Sequence, residues 1–148
     1  MRRILCLTLA WGLLLVFPAL ASTMRSIGKD LVNVRSKPDL SSEVVFQAFL
    51  GYPIQVEKQK KNWVYFTDWK NNAGWVYKPL VSRIQTAVVL VDKANIRRGP
   101  SRRRPVVMRA SKGEIYKIFA EKGDWVKVGY YLENEVIGWI RQDLVWGD

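Results

Sequence analysis

The 148-residue chain has no histidine and a single cysteine, Cys6. Without histidine, neither a Ser–His nor a Cys–His nucleophile pair can be built. Zinc and redox-metal sites draw mainly on Cys and His, so they are excluded too. No spaced acidic run matches a calcium loop, and neither GxxxxGK(S/T) nor GxGxxG occurs. Acidic residues are also scarce: 13 Asp and Glu stand against 24 Lys and Arg, a net charge of +11. No catalytic residue, metal or cofactor is therefore expected.

The one long apolar run lies at the start. Arg2 and Arg3 precede an apolar stretch over residues 4–17, Pro18 breaks it, and Ala19, Leu20 and Ala21 form a small-residue cleavage site. This is the layout of a secretory signal peptide over residues 1–21. The run is shorter than the roughly 20 residues of a spanning helix, so retention as an anchor is the lesser alternative. Cleavage would remove Cys6 and leave an exported chain with neither a disulfide nor a transmembrane span.

The remainder is a repeat. VNVRSKP at residues 32–38 returns as ANIRRGP at 94–100. At the same offset Gly51 falls on Gly113, Trp63 on Trp125, and Val64 and Phe66 on Val126 and Val128. The offset then grows by two, so Gly74, Trp75 and Val76 fall on Gly138, Trp139 and Ile140, and Leu80 and Val81 on Leu144 and Val145. Two units result, residues 26–85 and 86–148. Each is a series of short β-branched and aromatic runs separated by turn residues, the pattern of a small β-barrel or sandwich. The apolar stretch over residues 84–91 predicts that the two units touch.

Each unit resembles a bacterial SH3 (SH3b) domain. The resemblance rests on the V-N-(V/I)-R-x-x-P start, the mid-domain Gly, the Trp-Val strand, the Gly-Trp-(V/I) strand and the closing Leu-Val. It implies an all-β fold of two tandem SH3-like barrels behind the signal segment. It also implies a binding role, since SH3b modules accompany and target wall hydrolases. Lys37 stands where the family usually has Gly, which Gly99 keeps; a positive φ there would give the two loops different conformations.

Strand parity separates the faces. Lys127 between Val126 and Val128 must point outward, so Trp63, Trp75, Trp125 and Trp139 share the outer side. Two readings stay open for them: caps that close a small barrel, or an aromatic groove for an extended ligand. Arg97, Arg98, Arg102, Arg103 and Arg104 crowd what the SH3 comparison makes an RT-type loop beside the ligand groove. They are either a solvated basic loop or an anion-recognition surface, with Arg97 a candidate brace for the loop. Lys58, Lys60 and Lys61 form a second basic patch beside Trp63, at an n-Src-type position. Trp69, Tyr130 and Tyr131 fall near a hairpin as candidate exposed aromatics.

The expected partner is peptidoglycan, another anionic envelope polymer or an envelope protein. Net charge alone would permit nucleic acid, but export argues against it. Catalysis has little to stand on. Asp30 and Asp92 are equivalent, but single acids at strand starts read as turn or solubility residues, and no carboxylate pair recurs.

Overall fold

A computed structural model describes residues 22–148. Residues 1–21, where a signal segment is expected, lie outside the described residues.

The first unit is one antiparallel sheet. Its strands are β1 (Thr23–Ile27), β2 (Val32–Arg35), β3 (Val44–Ala48), β4 (Pro53–Lys60), β5 (Trp63–Thr67), β6 (Ala73–Tyr77) and β7 (Val81–Ser82), in the order β3-β2-β6-β5-β4-β1-β7. The second sheet is built from β8 (Thr86–Val89), β9 (Ala94–Arg97), β10 (Val106–Ala110), β11 (Ile115–Lys122), β12 (Trp125–Gly129), β13 (Val136–Arg141) and β14 (Val145–Trp146). Its order, β10-β9-β13-β12-β11-β8-β14, repeats the first strand for strand. A short 3-10 turn precedes each final strand, at Lys78–Leu80 and Gln142–Leu144. The protein is thus all-β, two tandem SH3-like units.

The cores obey the repeat. The buried cluster of the first unit is Ile27, Val32, Val34, Ala48, Ile54, Val64, Phe66 and Val76. Their equivalents Val89, Ala94, Ile96, Ala110, Tyr116, Val126, Val128 and Ile140 are all buried in the second. Volume is redistributed: Phe66 shrinks to Val128 while Ile54 grows to Tyr116. Cores tolerate such exchanges when total volume is kept.

The units are docked. All four residues of β8 are buried, and the Thr86 hydroxyl donates to the Gly51 carbonyl at 2.6 Å. Within the first unit the Ser26 hydroxyl donates to the Ile84 carbonyl at 2.6 Å, tying down the chain that leads into the second. The Tyr131 hydroxyl reaches Ser82 Oγ at 3.4 Å. Trp69 lies 4.8 Å from Tyr52 and 6.1 Å from Trp146, ring centre to ring centre. Trp69 and Tyr131, expected as exposed loop aromatics, therefore sit at the junction; only Tyr130 of the three is exposed.

Two phenols, Tyr52 partly buried and Tyr116 buried, hold their protons more tightly than usual. Burial, then the neighbouring Asp68, pushes Tyr52 above its usual value; burial, then Glu114, does so for Tyr116. Asp68 also accepts the Lys70 and Asn72 amides at 2.8 and 2.9 Å, shaping the β5–β6 hairpin.

Candidate functional site

Strand parity carries through to the surface. Across β5 and β6 the register sets Trp63 opposite Tyr77 and Tyr65 opposite Trp75. Across β12 and β13 it sets Trp125 opposite Arg141 and Lys127 opposite Trp139. Val64, Phe66, Val76, Val126, Val128 and Ile140 take the inner face of the same strands. One unit thus presents four aromatic rings where the other alternates rings with cations.

A groove opens at equivalent places in both units. In the first, a space of about 510 Å³ lies between Lys37, Pro38 and Asp39 of the β2–β3 loop and Lys60, Lys61 and Asn62 of the β4–β5 hairpin. Trp63 and Tyr77 line its floor, with ring centres 5.7 Å apart. In the second, about 380 Å³ is lined by Pro100, Ser101, Arg102, Asp124, Trp125 and Arg141. Pro38, Asn62, Trp63 and Tyr77 correspond to Pro100, Asp124, Trp125 and Arg141. Arg141 is fixed by Asp143, which accepts from Nε at 2.9 Å and Nη2 at 2.6 Å.

The first groove continues past Trp63 and Tyr77 into a depression with Leu31, Leu40 and Leu80. Leu40 is 76% exposed and Leu31 60%. Leu31 also holds a φ of 52°, a left-handed backbone that a leucine adopts only at a cost. The second unit has Lys93 and Arg102 at the positions of Leu31 and Leu40. Asp39 at the rim stays ionised: the Ser41 hydroxyl, at 2.7 Å, and then the Ser41 amide hold its carboxyl below the usual range.

The remaining sequence candidates divide. Trp63, Lys60 and Lys61 converge on the first groove, and Trp125 with Arg102 on the second. Trp75 and Trp139 share the outer face but lie outside both groove linings. Trp75 is capped by Tyr65, 5.3 Å away, and Lys58, 5.6 Å away, and Trp139 by Lys127 at 5.7 Å. Arg97 donates from Nη1 to the Arg104 carbonyl at 2.9 Å, and Arg35 does the same to Ser42 at 2.7 Å. Both therefore brace their loops. Arg98, Arg103 and Arg104 are exposed outside the groove.

The loop expectation at Lys37 and Gly99 needs correcting. Neither residue has a positive φ, and the two loops share their backbone bonds, Asp39 N to Lys37 O and Ser101 N to Gly99 O. Gly99 instead makes room: a Cβ there would lie 3.0 Å from Arg104 Cγ. Tyr77 and Arg141 lie two residues beyond Trp75 and Trp139, so strand parity makes them outward-facing; their place on the groove floor depends on the neighbouring loops and is not legible in the sequence. No cluster of three His, Cys, Asp or Glu able to hold a metal occurs among the described residues. No described helix is long and apolar enough to cross a membrane.

The sequence profile described as bacterial SH3 domain matches residues 28–83 and again 91–147. YrvJ, a candidate N-acetylmuramoyl-L-alanine amidase of Bacillus subtilis (strain 168), is 24% identical over 142 residues, covering 82% of this chain and 27% of YrvJ. Among solved structures, NlpC2 from Trichomonas vaginalis aligns with a TM-score of 0.39 and 18% identity over 86% of this chain and 49% of that one. An NlpC/P60 family protein from Bacillus cereus ATCC 10987 aligns at 0.39 and 14%, over 83% and 55%. The chain therefore spans about a quarter of the amidase and about half of these solved chains.

Proposed function

The chain belongs to the bacterial SH3 domain family, in two copies, and from that premise we propose that it is an exported, non-catalytic adaptor that binds peptidoglycan or a wall-associated peptide. The observation that carries this reading is the recurrence of one groove, floored by Trp63 and Trp125, at equivalent positions of both units. Indole faces suit sugar rings and extended peptides, and the flanking Lys60, Lys61, Arg102 and Arg141 suit carboxylates of stem peptides. The likeness to a candidate amidase of the wall polymer supports the substrate class, and the signal layout of residues 1–21 supports export.

Co-sedimentation with purified peptidoglycan at about 0.15 M salt tests it, since salt at that level screens non-specific attraction. Retention should exceed that of a charge-matched control, and W63A/W125A should weaken it about tenfold, as for buried aromatic anchors. Retention no better than the control would overturn the proposal.

A second reading has its own support. The exposed Leu31 and Leu40 beside Trp63 favour an extended peptide of another envelope protein in the first groove. Crosslinking in the native host that yields one protein partner and no wall fraction would favour that scaffold role.

A further inference from the structure

We infer that the first unit carries a separate anion-binding cleft, built from Arg25, Lys58, Lys78 and Arg83, for a linear polymer bearing phosphate or carboxylate groups. The four cations come from β1, β4, the turn before β7 and the residue after it, and they line one cleft of about 350 Å³. That cleft shares no lining residue with either groove. Its floor includes Val56, Val64 and Val81, and one carboxylate, Glu57, stands at its wall. Glu57 is engaged by the Thr67 hydroxyl at 2.8 Å.

Three observations point to a ligand. Among the described residues the single ion pair is Arg141–Asp143, so none of the four cations is neutralised by a carboxylate. Like charges gathered around one cleft repel one another, and a bound anion relieves that repulsion. Second, one of the groups is pre-positioned: Arg25 donates one Nη1 bond to the Met24 carbonyl at 2.9 Å. The rest of the Arg25 guanidinium fork is left to pair with an oxyanion. Third, the fold does not require this charge. The equivalent residues of the second unit are Ala87, Ala120, Gln142 and Gly147, none of them charged. The same scaffold is thus built without a single cation at these positions.

The test is titration of the protein with inorganic polyphosphate and, separately, poly-L-glutamate of matched length, at about 0.15 M salt. R25Q/R83Q is compared with R103Q/R104Q, which removes the same charge from the second unit. The cleft variant should lose about tenfold in affinity for the preferred polymer, as expected for lost charge-assisted bonds, and the loop variant less than about threefold. K78Q, a milder change, should lose about threefold, and thermal melting of each variant verifies folding. Preference for polyphosphate assigns a phosphate ligand, and preference for polyglutamate a carboxylate ligand. Equal losses in the two double variants, no loss in either, or no binding of either polymer at about 1 mM would overturn the inference. Wall retention through Trp63 and Trp125 is read independently, so failure of that reading leaves these titrations interpretable.

Discussion

The two units share a core and disagree on their surfaces. All eight buried residues of the first core cluster have buried equivalents in the second, while the outer face changes from Trp63, Tyr65, Trp75 and Tyr77 to Trp125, Lys127, Trp139 and Arg141. The difference teaches where the fold constrains the sequence. Inner positions must fill a fixed volume, so they drift only by compensated exchange. Outer positions answer to whatever binds them. The first unit has come to offer rings and leucines beside the lysines that rim its groove, with a basic cleft apart from it, and the second to set Arg141 on the groove floor where the first has the Tyr77 ring.

The comparison can be broken forcefully at an equivalent pair of glycines, Gly74 and Gly138, where strands cross. A Cβ at Gly138 would stand 2.4 Å from the Arg97 carbonyl oxygen, which is backbone and cannot yield cheaply. At Gly74 the nearest atom, at 2.5 Å, is the Val34 Cγ1 methyl, with the Arg35 carbonyl oxygen at 3.0 Å. G138A should therefore destabilise by about 3 kcal/mol and G74A by about half that, on the scale of overpacking costs. Urea unfolding of both variants checks the ranking; equal costs would mean that the two crossings relax alike.

Next is the junction. T86V removes the buried donor to Gly51 and should cost about 2 kcal/mol, the penalty of an unsatisfied carbonyl. A melt that splits into two steps would show that this contact couples the units.

Exchanging groove residues sharpens the contrast directly. R141Y should make wall retention less salt-sensitive and Y77R more so, each changing affinity by about threefold, since exposed charge pairs are weak. Smaller still is the hairpin tip, where Lys61 takes a φ of 52° and its equivalent Gly123 a φ of 56°. K61G should stabilise by about 0.5 kcal/mol and G123K should destabilise by about 1 kcal/mol, because only glycine holds that backbone freely.

The gentlest handle is alkali. The phenols of Tyr52 and Tyr116 are raised above the ordinary 10.0 in the folded chain. Their contribution to stability is therefore complete below pH 10 and is lost as pH rises toward the raised folded values, because the unfolded chain gives up its protons first. Y52F and Y116F should each flatten that alkaline loss in a chemical-denaturation series.

Much of this was legible in the sequence. The repeat located both units, and Lys127 between two valines fixed which face of each strand is buried. Arg97 could be suspected as a brace because Arg35 recurs with it. What escaped reading depended on convergence in space. Nothing in the chain shows that Tyr77 and Arg141 would meet Pro38 and Pro100 across a groove, because that depends on how the β2–β3 loop leans over the sheet. Trp69 and Tyr131 looked like loop aromatics because their partners, Trp146 and Ser82, belong to the other unit or to the connection. Arg25, Lys58, Lys78 and Arg83 are too far apart in sequence to suggest a cluster until β1, β4 and β7 are paired.

The central claim, that binding runs through the Trp63 and Trp125 grooves, is tested most directly by following the indole N–H signals of the 15N-labelled protein while soluble peptidoglycan fragments are added. The account predicts progressive shifts for Trp63 and Trp125 while Trp69 and Trp146, held at the junction, stay in place. Shifts confined to Trp69 and Trp146, or no shift at fragment concentrations that compete with wall binding, would contradict it.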